Sequence, residues 1–391
     1  MKTQIFKNEI GNTPEIVRNG GLVAVPTETV YGLAGNGMDE AAVQQIYDVK
    51  NRPEVKPLSL MVSGKDSIER FCVDVPPEAF AFAEQFWPGP LTLILNSKEE
   101  IPSIVLAGGN TVGLRCPDSP LTLQLIRESG CPLAAPSANI SGQKSPKCAE
   151  DVLSYFDGKI DAVIDGGACN LGIESTILDL SNYPFRILRR GALQMPIIGI
   201  TGQTGSGKTT ALHELQSVGG FVIDCDALYH DLLNSDAGLR DAIEESFPGT
   251  VHQGVVDRKL LASRVFQNPE QLELLNRITH RFIYTAVLKE ILRAGFSGCR
   301  LIAVDAVELI SSGLSRLCDC TIGITAEEGV RCRRIMTRDS LSEEEALARI
   351  RAQRPASYYE EFCDVCIDNN ADELNFIKNV KEVLNHVRFE R

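Results

Sequence analysis

The fold of the second half of the chain follows from residues 196–210. They read Pro-Ile-Ile-Gly-Ile-Thr-Gly-Gln-Thr-Gly-Ser-Gly-Lys-Thr-Thr. The apolar run 197–200 predicts a short buried strand, and residues 202–209 then carry the spacing Gly-x-x-x-x-Gly-Lys-Thr. The glycines allow backbone N–H groups to turn toward phosphate oxygens, and a helix that begins here directs the positive end of its dipole at them. We therefore expect a nucleotide site in which Lys208 reaches the β- and γ-phosphates and Thr209 holds Mg²⁺. The other residues predicted to bind the nucleotide are Gly202, Thr204, Gly205, Ser206, Gly207 and Thr210.

The composition of the chain is that of a soluble globular protein. Its 391 residues suggest two or three domains, and 43% of them are hydrophobic. The net charge of −13 argues against stable, broad binding to nucleic acid. The longest apolar runs are strand-sized, so we expect no membrane contact. Residues 1–7 lack the apolar core of a signal peptide, which predicts a cytoplasmic location.

Twelve cysteines in such a chain predict reduced thiols. Cys318-x-Cys320 and Cys363-x-x-Cys366 together could form a zinc site. Because both pairs run into apolar, strand-like segments, we favour the interpretation that they are small buried hydrophobic side chains.

Several polar segments of residues 1–194 follow predicted strands and could line one pocket. The strand Leu22–Val25 leads into Pro-Thr-Glu-Thr-Val-Tyr-Gly at residues 26–32. A helix predicted over 41–50 ends at Lys50, and Arg52 and Lys56 follow it, which places three cations within seven residues. These cations could bind a polyphosphate or form a solvated surface. Pattern alone predicts a polar pocket for an anionic ligand.

Four of these motifs, in this order, resemble the YrdC family across residues 1–194. They are Pro-Thr-Glu-Thr-Val-Tyr-Gly, the pair Lys50-x-Arg52, Phe-Trp-Pro-Gly-Pro-Leu-Thr at 86–92 and Ser137-x-Asn139. The resemblance implies a twisted α/β sheet domain that uses ATP, bicarbonate and L-threonine to make L-threonylcarbamoyladenylate and pyrophosphate. That product is the donor for the t6A modification of tRNA, so a handoff to t6A transferase proteins is implied. An RNA-binding module and a carbamoyl-transfer module are the alternatives.

The same resemblance implies roles for individual residues. Lys50 and Arg52 are the catalytic candidates beside the triphosphate. The implied ATP-binding residues are Lys50, Arg52, Lys56, Thr111, Ser137, Asn139, Ser145 and Arg189, and the implied threonine-binding residues are Thr29, Arg115, Ala135 and Ser175. Met61 is a departure, since some family members carry a histidine there.

In residues 195–391, acidic side chains follow strands that are predicted to lie beside the phosphate loop. The run Phe221–Asp226 predicts a strand that brings Asp224 and Asp226 to the loop. Residues 301–305 likewise predict an apolar strand, which ends in Asp305. A carboxylate there could accept a hydroxyl proton or hold Mg²⁺ through water, while a helix N-cap is the structural alternative. Seven arginines follow at 331–354 and predict a lid over phosphates, or a solvated helical face paired with Glu343–Glu345.

The pattern over 196–391 resembles dephospho-CoA kinase. Motifs that carry the resemblance include Ile-Asp-Cys-Asp-Ala-Leu-Tyr-His at 223–230, Arg349-Ile350-x-x-Gln353 and the segment Cys363–Asn369. The implied reaction moves the ATP γ-phosphoryl group to the 3′-hydroxyl of dephospho-CoA, with Asp226 as base and Arg338 as lid cation. Arg281, Val307 and Ser311 depart from the family pattern near the acceptor. A kinase of another small acceptor and a nucleotide sensor are the alternatives.

We therefore predict two domains and two separate ATP sites in one chain. The first domain covers residues 1–194, and the second, a P-loop kinase with a parallel sheet flanked by helices and an arginine-rich lid, covers 195–391.

Overall fold

The computed structural model describes residues 2–265, 268–370 and 372–389. The chain divides into two compact units, Met1–Gln194 and Met195–Arg391. Each unit is an α/β structure with its own sheet.

The first unit is built on a ten-stranded mixed sheet with the order β1-β8-β2-β3-β7-β4-β6-β5-β9-β10. The strands are β1 (Gln4–Lys7), β2 (Val23–Val25), β3 (Gly32–Asn36), β4 (Ser59–Met61), β5 (Leu91–Asn96), β6 (Thr111–Arg115), β7 (Leu133–Ala134), β8 (Ala162–Asp165), β9 (Thr176–Asp179) and β10 (Arg186–Arg189). The helices are α1 (Thr13–Arg18), α2 (Glu40–Lys50), α3 (Ser67–Phe71), α4 (Pro77–Phe86), α5 (Ser103–Leu106), α6 (Pro120–Ser129) and α7 (Ala149–Phe156).

Local sequence explains why helix α2 begins and ends where it does. The Asp39 side chain accepts hydrogen bonds from the N–H groups of Ala41 and Ala42, and it therefore caps the helix. The helix ends at Asn51, which adopts a left-handed φ of 49°. Ala42, Val43, Ile46, Tyr47 and Lys50 form the buried stripe of the helix. The predicted segment 41–50 is thus confirmed, and its last residue lies on the buried face.

The second unit is built on a five-stranded parallel sheet with the order β12-β15-β11-β16-β17. Its strands are β11 (Ile197–Gly202), β12 (Phe221–Asp224), β15 (Ile302–Asp305), β16 (Cys320–Thr325) and β17 (Val365–Asp368), and β13 (Val251–His252) and β14 (Val255–Val256) form a separate hairpin. The helices are α8 (Lys208–Ser217), α9 (Cys225–Ser235), α10 (Ala237–Ser246), α11 (Arg258–Val265), α12 (Pro269–Phe296), the 3₁₀ helix Leu314–Leu317, α13 (Glu328–Asp339), α14 (Glu343–Arg351), α15 (Ala356–Phe362) and α16 (Glu373–Phe389).

The core of the second unit lies between this sheet and helices α8 and α16. Ile198 and Ile200 of the central strand β11 pack with Leu215 of α8 and Phe376 of α16. All six residues of β11 are buried, which explains why the strand is apolar on both faces. The predicted parallel sheet flanked by helices is confirmed.

Strand β12 is shorter than the sequence suggested. It ends at Asp224, and Cys225 and Asp226 already belong to helix α9. The strand stops because the Asp224 side chain accepts hydrogen bonds from the N–H groups of Asp226 and Ala227, both at 2.9 Å. Asp224 is therefore the helix cap that the sequence left as an alternative.

Among the described residues, none of the helices is both long and apolar enough to cross a membrane.

Two candidate active sites

The first unit contains a cavity of about 170 Å³ that is rich in cations. Three guanidinium groups line it, those of Arg52, Arg115 and Arg189, and Glu174 is the one carboxylate among its described lining residues. Such a charge balance suits an anionic ligand. The other predicted residues that line it are Met61, Ala135, Ser137 and Ser175.

Arg115 is held in place by a buried carboxylate. Its Nη2 atom lies 2.8 Å from Glu28 Oε1 and 2.8 Å from Thr29 Oγ1, and its Nε donates to the Gly89 carbonyl at 3.3 Å. The other Glu28 oxygen accepts from the Asp118 N–H at 3.0 Å. Glu28 thus fixes the guanidinium at the cavity wall. The sequence motif contains this carboxylate, but we had not predicted it as a site residue.

Arg189 is positioned by the neighbouring strand β9. Its Nε donates to the Ser175 carbonyl at 2.9 Å, and its Nη2 donates to Ser175 Oγ at 3.0 Å. Burial lowers the pKa of Arg189, and the Glu174 carboxylate opposes that shift. Ser145 donates to Glu174 Oε1 at 2.6 Å, so Ser145 reaches the cavity through this carboxylate.

Lys50 does not line the cavity, although we expected it beside the triphosphate. Its ammonium is buried and donates to the carbonyls of Ser137 and Asn139. Burial, with a smaller contribution from Arg52, lowers the pKa of Lys50 to about 7. Lys50 thereby holds the loop that carries Ser137.

The remaining predicted residues of this unit lie at three different places. Asn139 is buried and donates to the carbonyls of Ile140 and Gln143, while its Oδ1 accepts from Ser137 Oγ. Lys56 is exposed on the segment after α2. Thr111 begins strand β6, about 13 Å along that strand from Arg115, and is not among the cavity residues.

The second unit places the phosphate loop at the carboxyl ends of the parallel strands. Gly202, Gly205 and Gly207 have φ values of 151°, 79° and 102°. A Cβ on Gly202 would lie 2.3 Å from the Ile324 carbonyl oxygen, and one on Gly207 would lie 2.1 Å from Asn369 Nδ2. The close approach of other groups and the positive φ values therefore require glycine in the loop.

Lys208 and an acidic side chain meet at this edge of the sheet. Lys208 Nζ lies 2.6 Å from Asp305 Oδ1. Burial raises the pKa of Asp305, and the Lys208 ammonium opposes that shift. Asp224 and Asp226 lie close enough to Asp305 to contribute to its raised pKa. Thr209 is exposed in the first turn of α8, and Thr210 follows it.

A cavity of about 400 Å³ opens beside these acids. Most of its described wall is apolar. The titratable side chains on the described wall are Cys225, Asp226, Tyr229, His230, Arg258, His280 and Glu308. Burial lowers the pKa of His280. The cavity can therefore take a ligand with a large apolar part whose hydroxyl reaches Asp226.

Each of the three positions that depart from the family pattern is next in sequence to a residue of this wall. The Val307 carbonyl accepts from Thr201 Oγ1 at 3.0 Å, and Ser311 Oγ donates to the Glu308 carboxylate. Arg281 is exposed on α12. None of the three side chains is among those that line the cavity in the described part of the chain.

The predicted arginine-rich lid is not evident in this structure. Arg331 and Arg334 donate to carbonyl groups of the phosphate loop. Arg338 pairs with its neighbour Asp339 at 2.7 Å, and Arg349 pairs with the same carboxylate. We also considered a helical face whose arginines pair with Glu343–Glu345. Arg338 and Arg349 pair with Asp339 instead.

The cysteines of the second unit do not form a metal site in the described part of the chain. No three His, Cys, Asp or Glu side chains among the described residues are grouped so that they could hold a metal ion. Cys320 is buried, Cys318 and Cys363 are half-buried, and Cys366 is exposed. The expectation of four buried thiols is therefore wrong for Cys366.

Comparison with known proteins separates the same two units. Residues 15–191 match the Sua5/YciO/YrdC family model, whose description is "Telomere recombination", and residues 196–375 match the CoaE model, "Dephospho-CoA kinase". The first unit belongs to the Sua5/YciO/YrdC family, and the second unit matches the dephospho-CoA kinase family model.

The curated relatives resemble the first unit. The chain is 46% identical to the threonylcarbamoyl-AMP synthase of Pyrococcus abyssi over 179 residues, which are 46% of this chain and 53% of the relative. It is 44% identical to that of Bacillus subtilis over 47% of this chain and 54% of the relative. It is 37% identical to that of Rattus norvegicus over 48% of this chain and 69% of the relative. The chain thus spans about half the length of the first two.

Proposed function

We propose that the first unit synthesises L-threonylcarbamoyladenylate from L-threonine, bicarbonate and ATP. The observation that carries this proposal is the convergence of Arg52, Arg115 and Arg189 on one cavity. The reaction needs cations for a triphosphate and for the threonine carboxylate, because the threonine carbamate attacks the α-phosphate and expels pyrophosphate. Positioning and charge stabilisation account for most of the catalysis of such a step.

The geometry supports different binding roles for these three arginines. Arg115, fixed by Glu28 and Thr29, is suited to the threonine carboxylate, since a guanidinium binds a carboxylate through two parallel hydrogen bonds. Arg52 and Arg189 are suited to the nucleotide phosphates. Lys50 acts on the same site through the loop that contains Ser137.

Incubation of the purified chain with ATP, bicarbonate and L-threonine tests this proposal. Mass spectrometry should detect pyrophosphate and a threonine-dependent adenylate. Absence of a product that depends on threonine contradicts it. Addition of t6A transferase proteins and tRNA should then carry the threonylcarbamoyl group to tRNA, which tests the proposed handoff.

We propose that the second unit transfers the ATP γ-phosphoryl group to the 3′-hydroxyl of dephospho-CoA. The observation that carries this proposal is the position of Asp226, which lines the 400 Å³ cavity and lies near the Lys208–Asp305 pair. Dephospho-CoA has a pantetheine arm with methyl and methylene groups between its amides, and it has a ribose hydroxyl; these match the apolar wall and the carboxylate. Asp226 would accept the hydroxyl proton.

The residues around Lys208 fit Mg²⁺ carried by ATP. Magnesium in kinase sites keeps several waters and takes one or two protein oxygens plus phosphate oxygens. The Thr209 hydroxyl and the carboxylates of Asp224 and Asp305 can supply those protein oxygens. When bound, the ion would neutralise charge on the β- and γ-phosphates.

Incubation with ATP, Mg²⁺ and dephospho-CoA should yield CoA. Phosphorylation of another small acceptor, with dephospho-CoA left unchanged, contradicts the acceptor assignment. Binding of ATP without phosphoryl transfer to any acceptor contradicts the assignment as a kinase.

A further inference from the structure

Three successive carbonyl groups of the phosphate loop accept hydrogen bonds from side chains outside the loop. Arg331 Nε donates to the Thr204 carbonyl at 3.0 Å, and Arg334 Nη1 donates to the Gly205 carbonyl at 3.3 Å. Asn369 Nδ2 donates to the Ser206 carbonyl at 2.6 Å. Arg331 and Asn369 are 3% and 4% exposed, so both act within the protein interior. The loop is therefore held from behind by helix α13 and by the residue after strand β17.

These hydrogen bonds to the loop carbonyls also fix the direction of the loop N–H groups, because the peptide bond is planar. In a trans peptide the carbonyl of one residue and the N–H of the next point in opposite directions. Since the Thr204 and Ser206 carbonyls point at the clamping side chains, the N–H groups of Gly205 and Gly207 point away from them, into the cradle of the loop. The intervening Ser206 N–H donates to the Gln203 carbonyl at 3.1 Å. Inward N–H groups are what a phosphate oxygen requires.

Gln353 joins the arginine to the loop. Its Oε1 accepts from the Thr204 N–H at 2.9 Å and from Arg331 Nη2 at 2.7 Å. Its Nε2 donates to Thr204 Oγ1 at 2.5 Å. One side chain thus satisfies both the backbone and the hydroxyl of Thr204 and also orients Arg331. Removal of Gln353 would take away the partner of the Thr204 N–H, the Thr204 hydroxyl and Arg331 Nη2, and a loop avoids such a loss by changing its conformation.

We propose that Gln353 and Asn369 are positioning residues for the nucleotide phosphates, which they serve by holding the phosphate loop in its binding conformation. They touch the loop and not the acceptor cavity. Their loss weakens interactions with ATP and leaves dephospho-CoA binding unchanged. The inference rests on the proposed kinase function of this unit.

Kinetics of CoA formation by the full chain test the proposal. Gln353→Leu and Asn369→Ala should each raise KM for ATP at least fivefold, while KM for dephospho-CoA changes less than threefold. Gln353→Glu keeps an oxygen for the Thr204 N–H and for Arg331, and it should recover most of the loss in ATP KM. Gln216→Leu removes an exposed glutamine of α8 and should match the wild type.

The outcomes separate this inference from the proposed reaction. An ATP KM within fivefold of the wild type in both variants overturns the inference, as does a parallel rise of both KM values. If Gln353→Leu does not fold, Asn369→Ala and Gln353→Glu decide the matter by the same criteria. A wild type that forms no CoA contradicts the proposed reaction. ATP titration then still tests the loop, because each variant should bind one of two ATP equivalents at least fivefold more weakly than the wild type does, and unchanged affinity for both equivalents overturns the inference.

Discussion

Lys208 Nζ lies 2.6 Å from Asp305 Oδ1, at the point where the central strand of the second unit and its neighbour β15 both end. The two side chains come together because parallel strands deliver their carboxyl ends to one edge of a sheet. Lys208 is therefore paired before any phosphate arrives, and a nucleotide must compete with Asp305 for it. Asp226, on the first turn of α9, completes the acidic side of this site.

Substitution of Asp226 by Asn should remove the general base while the nucleotide site stays intact. General bases commonly contribute 10² to 10⁴ in rate, so we expect kcat for CoA formation to fall at least about 100-fold. KM for ATP should change less than threefold. Asp231→Asn, an exposed change on the same helix, is the matched control. Full activity of Asp226→Asn would show that another group accepts the proton.

Substitution of Gly207 by Ala should disable the phosphate loop. Its φ is 102°, and the new Cβ would lie 2.1 Å from Asn369 Nδ2, so the loop and its anchor must both shift. We expect KM for ATP in CoA formation to rise at least about tenfold. Gly329→Ala, in which the new Cβ would lie 3.8 Å from Arg333 Nη1, should behave as the wild type. An unchanged KM in Gly207→Ala would refute the required glycine geometry.

Substitution of Glu28 by Leu should destabilise the first unit and impair threonine use. The change leaves the Arg115 guanidinium buried without its carboxylate, and removal of one partner of a buried ion pair costs about 3–5 kcal/mol. Denaturant unfolding should show that loss. Glu28→Gln keeps an acceptor for the Asp118 N–H and should cost less in stability, yet it should still raise KM for threonine. Equal KM values in Glu28→Gln and the wild type would argue against this role for Glu28.

Lys50 should make the stability of the first unit depend on pH. Its pKa is lowered to about 7, so between pH 7 and its ordinary value the unfolded chain binds more protons than the folded chain. The free energy of unfolding therefore gains from Lys50 as the pH rises through this window, by up to about 1.4 kcal/mol per pH unit. Melting curves of the wild type and Lys50→Met, compared at pH 6.5 and 9, should show the wild type gaining relative stability. A constant difference would mean that the Lys50 pKa is not lowered.

The sequence predicts best what is local along the chain. Strand β11, the glycine loop and helix α8 are contiguous, so their order and spacing were readable. Arg331 and the Thr204 carbonyl are 127 residues apart, and no local pattern reports that hydrogen bond. The sequence pattern of the arginines at 331–354 therefore predicts a lid or a solvated helical face, whereas Arg331 and Arg334 anchor the loop.

Lys50 carries two signals in the sequence. Its charge grouped it with Arg52 and Lys56, whereas its spacing, four residues after Ile46, places it on the buried stripe of α2. The burial of Glu28 against Arg115 could not be foreseen in the same way, because it depends on the pairing of distant strands.

The central claim is that the chain carries two independent ATP-using sites. One measurement tests it most directly: assay of both products, threonylcarbamoyladenylate and CoA, in Lys208→Ala and Arg52→Ala, with the exposed Arg127→Ala as control. We expect Lys208→Ala to lose CoA formation and keep adenylate synthesis, and Arg52→Ala to lose adenylate synthesis and keep CoA formation. Loss of both products in Lys208→Ala, with the protein still folded, would contradict it.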